Sequence, residues 1–319
     1  MVYFIFRATT VTKLLYNNNL STLSTAVKRN FNNNITNNNN NNNTNNTNNN
    51  NPAFSAVRRN SHNDNMANKI GIIITEDGPH WGGEAGVGRF FTERFTKVNN
   101  SFEYQVLHGV SGDVPQPTQF PDYTGFVITG SHHSVNDKFD WIDRCRTFIR
   151  QLVDYNKTTE QPVRLFGICY GHQLIASALG GTVRSISPNN KGGTFIFGAE
   201  NVKFTSQVTE KLWFTNIFED KKAIMIVQSH GEEVSVIPGN AVNVGQSTTC
   251  QNEALAYGDN IISFQGHPEM DIETLERIIG TRLLKSERIE KDYHVQGMEN
   301  ARKVPADKLT AMIMAFLSH

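Results

Sequence analysis

Two short stretches carry the most reactive chemistry in this chain. In "LFGICYGHQLIASALGG", residues 165–181, an apolar run ends at Cys169, with Gly167 two residues before it and Gly171 two after. The form G-x-C-x-G at a strand-to-helix junction is the cysteine counterpart of the G-x-S-x-G nucleophile elbow, where a sharp turn exposes the nucleophile above a sheet. Glycines at both flanks suit a turn that brings backbone segments too close for a Cβ. The helix that follows, expected to start near His172, sets unpaired N–H groups and the positive end of its dipole beside the sulfur, favouring thiolate over thiol. The same turn lets the N–H of Tyr170 point at a developing oxyanion. A packed cysteine at a strand end is the competing explanation, and it leaves the glycines unexplained.

A cysteine nucleophile needs a base, and the base needs an orienting group. The second stretch, "FQGHPE" at 264–269, offers both. Pro268 biases His267 toward extended geometry, and in an extended segment residues i and i+2 face the same side, so Glu269 can reach the imidazole. The other candidates are weaker: His80, His132 and His133 fall in loops, His172 opens a helix, and His294 and His319 lack an acid in a comparable setting.

The elements that must hold these residues are strands alternating with amphipathic helices from Lys69 onward. "KIGIIIT", "EYQVLHGV", "GFVITGS" and "RLFGIC" are short apolar strand candidates, and "GEAGVGRFFTERFTKV" spaces its apolar residues for a helix. In "WIDRCRTFIRQLVDY", Trp141, Ile142, Cys145, Phe148, Ile149 and Leu152 share one stripe, making Cys145 a core residue. Such alternation predicts an α/β fold with a doubly wound, mainly parallel sheet flanked by helices, its chemistry at the carboxyl ends of the strands. After Gly181 the sequence turns β-rich, through "TFIFGAENVKFT", "KAIMIVQSHGEEVSVIP" and "AVNVGQST", adding an antiparallel section before a last strand "NIISFQGH". Helical sequence follows around 271–286 and 305–317.

Composition excludes several classes. The 319 residues balance 30 Lys and Arg against 30 Asp and Glu, with no clustered excess of the kind that phosphate backbones require, so nucleic acid is not an expected partner. Cys145, Cys169 and Cys250 form no metal-ligand spacing and no disulfide framework, so no metal site is expected. No apolar run approaches the roughly 20 residues that span a bilayer, and no membrane association is expected.

Residues 1–67 differ in kind. The tract "NNNITNNNNNNNTNNTNNNNP" is too polar and uniform to bury a core and is expected to be disordered. Ahead of it, Arg7, Lys13, Lys28 and Arg29 lie among Ser, Thr and apolar residues, with no acidic residue before Asp64; this is the make-up of a mitochondrial transit peptide. A low-complexity extension without an address, or a start at Met66, would leave the protein cytosolic instead. One domain over 68–319 is the simplest account of the remainder.

Taken together, "GICYGHQ" and the downstream "GHPE" resemble the class I glutamine amidotransferases, and the resemblance covers roughly residues 70–285. It implies a flavodoxin-like fold and a Cys169-His267-Glu269 triad that hydrolyses γ-glutamyl amides without metal or organic cofactor. It further implies a second oxyanion donor in "VITGSHHS", near Gly130 and Ser131. Gln173 and the "QSHGE" segment, chiefly Ser229 and His230, would hold the α-amino and α-carboxylate ends of a glutamyl substrate. An ordinary strand end at Ser229 and His230 is the alternative.

The stretch "YTGFVITGSHHSVNDKFDWIDRC" is also similar to the stand-alone γ-glutamyl peptidase branch, while the broader likeness extends to guanylate-synthase-type glutaminase domains. The expectation is therefore a hydrolase acting on a small γ-glutamyl substrate, glutamine or a γ-glutamyl peptide. The alternatives are a glutaminase subunit serving a separate synthetase and a catalytically silent metabolite-binding module. The loop "GGEAGVG" after the first strand does not have the G-x-G-x-x-G spacing of a dinucleotide site; "GPHWGGEAG" is instead expected at the mouth of the glutamyl site.

Overall fold

β-Branched alternation builds the centre of the sheet. In β1 (Lys69–Ile74), Ile70, Ile72 and Ile74 face one side and Ile73 the other, and all four are buried. The computed structural model describes residues 68–112, 114–187 and 194–319, all within the unit Asp64–His319. The disorder and the transit peptide expected of residues 1–67 lie outside the described residues.

Among the described residues, eleven strands form two sheets. β2 (Glu103–His108), β3 (Gly125–Ile128), β4 (Arg164–Ile168) and β11 (Ile261–Phe264) join β1 in a parallel half with the order β2-β1-β3-β4-β11. The sheet continues antiparallel through β10 (Ala254–Tyr257), β9 (Val242–Gln246), β6 (Ile196–Phe204) and β7 (Ala223–His230). β5 (Thr182–Ser185) and β8 (Glu232–Val236) pair separately. The expected antiparallel section is thus mostly an extension of the same nine-stranded mixed sheet. Two strands, β5 and β10, were not expected: each is only four residues long and lacks a β-branched run.

Helices cover both faces, as a doubly wound sheet requires. α1 (Gly83–Val98) and the last helix, Ala306–Ser318, pack with Ile70, Ile72, Phe166 and Phe264 on one face. α2 (Asp140–Thr158) and α3 (Tyr170–Ala178) pack with Ile73, Phe126 and Ile128 on the other. Cys145 is buried on the core stripe of α2, and burial pushes its thiol up to about 12. The short helix α4 (Leu212–Phe218) adds Trp213 and Phe214 to the first face. Residues 272–285 form a helical run whose middle, Leu275–Gly280, is π-helical, and α5 (Lys291–Ala301) and α6 (Ala306–Ser318) follow. α5 was missed because its polar composition leaves a weak apolar stripe.

In the order β2-β1-β3-β4 the direction in which successive strands are added across the sheet reverses between β1 and β3, and such switch points open a crevice beyond the carboxyl ends of the strands. Thr75 and Glu76, Thr129 and Gly130, Cys169, and Gln265 to His267 all follow those ends.

Candidate active site

Cys169 sits alone between β4 and α3 with φ 49° and ψ −100°, a left-handed conformation that L-residues rarely hold. Residues kept in such regions cost about 1–3 kcal/mol and persist only where the surroundings over-determine them. Here the restraints are visible. The Cys169 N–H donates to the Phe264 carbonyl at 2.8 Å, the Gly171 N–H donates to the Thr129 carbonyl at 3.1 Å, and the Cys169 carbonyl accepts from Gln173 N–H. A Cβ on Gly171 would lie 2.4 Å from the Ile128 carbonyl oxygen, and one on Gly167 would lie 2.6 Å from Ile175 and 2.8 Å from the Gly171 carbonyl oxygen. The two glycines of G-x-C-x-G are therefore packing requirements of the elbow. The helix begins at Tyr170, two residues earlier than expected, so its first turn directly abuts Cys169.

His267 is carried by an isolated bridge to β7, its N–H donating to the Val227 carbonyl at 2.8 Å. Its Nδ1 lies 2.9 Å from Glu269 Oε1, and both residues are buried. Burial by itself pulls the imidazole pKa down, but the Glu269 carboxylate and the Cys169 sulfur together hold it well above its ordinary value.

Behind the sulfur lies a chain of amides. Gln265 Nε2 is 3.7 Å from Cys169 Sγ, and Gln265 Oε1 accepts from Gln173 Nε2 at 3.2 Å. Gln173 Nε2 also donates to the Glu232 carbonyl at 3.0 Å, so its carbonyl oxygen is what it can offer a ligand. Gln265 escaped the sequence reading although its signal was present: it precedes His267 by two in an extended segment, on the same side.

Gly130 passes close to the nucleophile; a Cβ there would meet His267 Cε1 at 3.0 Å and Cys169 Cβ at 3.7 Å. Its carbonyl oxygen lies 3.2 Å from Thr75 Oγ1 and 3.1 Å from Thr129 Oγ1, both fully buried. Because the trans peptide is planar, a carbonyl held toward the threonines sends the Ser131 N–H the opposite way. Neither threonine was singled out from sequence, although "IIIT" and "FVIT" end neighbouring strands alike.

His230 ends β7 and lines the same cavity as Cys169. Burial pushes its pKa down to about 4, and its Nδ1 lies 3.0 Å from the Glu232 carbonyl, which assigns the proton to Nδ1 and leaves Nε2 as a buried acceptor without a protein partner. Ser229 stands beside it, its carbonyl 3.9 Å from Cys169 Sγ. Glu232, part of the quoted "QSHGE", also lines the cavity and accepts from Ser134 Oγ at 2.9 Å; burial raises its pKa.

A positioning contact with no sequence signal comes from Arg94 on α1. Its buried guanidinium donates to the Glu269 backbone carbonyl at 3.1 Å and to Asp307 and Thr310 on α6. The decoy glycines resolve as packing: a Cβ on Gly86 would fall 1.7 Å from the Trp81 carbonyl oxygen, and one on Gly88 would crowd Val106 on β2. His80 and Trp81, in the turn before α1, line the cavity. Among the described residues no helix is long and apolar enough to cross a membrane. Asp77, His132 and His133 come together with donor atoms within 4.8 Å of one another, although no metal site was expected from sequence.

Comparison with known proteins bears on the family and the fold. The family description "Glutamine amidotransferase class-I" matches residues 116–285. Gamma-glutamyl peptidase 4 of Arabidopsis thaliana is 32% identical over 201 residues, covering 62% of this chain and 74% of that protein. A GMP synthase [glutamine-hydrolyzing] of Wolbachia pipientis is 24% identical over 213 residues, covering 62% of this chain but 38% of its own length. The fold is shared with a crystal structure of a glutamine amidotransferase from Thermotoga maritima, at a TM-score of 0.58 and 19% identity over 79% of this chain and 99% of that one. The chain belongs to the class I glutamine amidotransferase family.

Proposed function

We propose that this protein is a γ-glutamyl hydrolase that works through a thioester on Cys169. The observation that carries the reading is the strained Cys169 turn set beside His267, whose Nδ1 is held by Glu269 at 2.9 Å. The Cys169 thiolate attacks the γ-carbonyl, and the oxyanion is met by the N–H groups of Tyr170 and the Gly130-Ser131 loop, of which the peptide orientation favours Ser131. His267 gives its proton to the departing amine as the C–N bond breaks. Neutral His267 then takes a proton from water as the water oxygen attacks the thioester; the C–S bond breaks, and glutamate and the imidazolium–thiolate pair are regenerated. Glu269 fixes the ring and stabilises its charged form.

At the other end of the substrate, the acceptor Nε2 of His230 and the Glu232 carboxylate suit an α-ammonium, while Gln173 and Ser229 complete the glutamyl pocket. The test is amine or ammonia release by the full chain from a γ-glutamyl dipeptide, glutathione and glutamine, beside Cys169→Ala. Peptide cleavage with little glutamine turnover supports a stand-alone peptidase, the activity named in the Arabidopsis relative. Glutamine turnover only after addition of a partner would instead support a glutaminase subunit, the second reading, favoured by the likeness to a GMP synthase. No turnover with any substrate and no labelling of Cys169 would leave a silent binding module.

We further infer that residues 1–67 address the protein to mitochondria and that 68–319 is a single domain. A reporter fused behind residues 1–67 should co-localise with mitochondria; a diffuse cytosolic signal overturns the address.

A further inference from the structure

The cavity holding Cys169 is larger than a glutamyl group requires, and its outer part has a chemistry that the proposed reaction does not use. Its volume is about 510 Å³, in the range of roughly 300–1,000 Å³ that encloses whole drug-sized ligands. The glutamyl group occupies the stretch from Cys169 to Gln173, Ser229 and His230. The amine must leave on the side of His267, which protonates it.

The wall beyond His267 and Glu269 is built by the helical run 272–285 and the turn that follows it. Ile279 and Leu283 line it, facing a cavity that Trp81 and Phe90 also line, which makes an apolar channel. At its rim stand two guanidiniums. Arg282 Nη1 lies 3.0 Å from His80 Nε2. Burial and Arg282 itself push the His80 pKa down, so the neutral ring accepts that hydrogen bond and orients the guanidinium. Arg288 lies over the Phe195 ring, 5.4 Å from its centroid. Among the described residues neither arginine makes a salt bridge with a carboxylate. The nearby Glu76 carboxylate is already engaged by the N–H groups of Gly78 and His132 and by the His132 ring.

An oriented guanidinium with free donors recognises carboxylates, because its planar fork matches both oxygens. We propose that the outer part of this cavity is a leaving-group subsite for a partly apolar body ending in a carboxylate, and that Arg282 and Arg288 determine that specificity. The preferred substrate class is then γ-glutamyl peptides with a free C-terminus, over glutamine and over γ-glutamyl compounds whose far end is uncharged. This rests on the γ-glutamyl hydrolase reading.

The experiment compares kcat/KM of the full chain for γ-glutamyl-alanyl-glycine and for the same peptide with an amidated C-terminus. The free acid should be preferred by about 10-fold or more at low ionic strength, with the ratio shrinking as salt screens the exposed arginines. In the Arg282→Ala, Arg288→Ala double variant the ratio should fall toward one, chiefly through KM, and Arg282→Lys should restore part of it. Cleavage of both peptides by the wild type without discrimination, or a double variant that keeps the full preference, overturns the subsite while leaving the hydrolase reading intact. Cleavage of neither peptide by the wild type overturns both.

Discussion

The two walls of the cavity are built on different principles. The inner wall, from Cys169 to His267, hangs on strand ends, and each residue is fixed by backbone bonds: Cys169 to Phe264, Gly171 to Thr129, His267 to Val227. The outer wall, from Trp81 to Arg288, is carried by a turn, a π-distorted helical run and exposed cationic side chains. Rigid sheet ends suit chemistry, which tolerates little misplacement, and adaptable helix surfaces suit selection among leaving groups. Substitutions on the inner wall should therefore lower kcat by orders of magnitude, and those on the outer wall should redistribute KM among substrates.

The largest effect falls on the nucleophile. Cys169→Ala should cost at least about 10³-fold in turnover, as losses of activated nucleophiles do, with thermal stability little changed. Retained activity would break the comparison at its root. Thiol labelling of the native protein sharpens it: Cys169 should react, while Cys145 and Cys250, both buried and with thiols pushed upward by burial, should not until the protein unfolds.

Next comes Glu269→Gln, expected to cost roughly 10²–10⁴-fold by analogy with triads whose orienting acid is removed. Its diagnostic is pH. The Glu269 carboxylate is a principal cause of the raised His267 pKa, so without it the imidazolium loses its proton at lower pH. The alkaline limb of the kcat/KM profile should move downward; an unmoved limb would show that His267 is not the group that titrates.

A smaller effect isolates the oxyanion loop. Thr75→Val removes a hydroxyl from the Gly130 carbonyl while keeping shape, and should lower kcat about 10-fold with KM nearly constant. That is less than the ~10²–10³ of losing a donor outright, because Thr129 Oγ1 remains at 3.1 Å. A change confined to KM would argue that the loop only binds.

The same division explains what could be read from sequence. G-x-C-x-G and H-x-E are local patterns whose geometry follows from a turn and a strand, so Cys169, His267 and Glu269 were legible, as was α1 at 83–98. Arg94 was not, since its contact with Glu269 spans 175 residues and depends on helix packing against the sheet. Arg282 and Arg288 were illegible for the same reason: nothing nearby in sequence marks them as cavity residues. β5 and β10 went unseen because their strand state comes from the neighbours they pair with.

Behind the inner wall lies a buried network around Glu253, and its response to pH reveals whether that network is neutral. Glu253 is fully enclosed, and its carbonyl accepts from Gln265 N–H at 2.7 Å while Gln228 Nε2 lies 3.3 Å from its carboxyl. Burial raises its pKa from 4.5 to about 7, outweighing the hydrogen bonds that oppose the shift. For an acid whose folded pKa lies above its unfolded one, the folded state is favoured by protonation. That contribution is intact below about pH 4.5 and is lost as pH rises through about 7. At about 1.4 kcal/mol per unit, the loss approaches ~3 kcal/mol. Glu253→Gln mimics the protonated acid and should erase this slope, so its Tm should exceed the wild type's at pH 8 and match it near pH 4.5. Equal stabilities at both pH values would mean that Glu253 ionises without cost, and that the wall behind Gln265 is wetter than its burial implies.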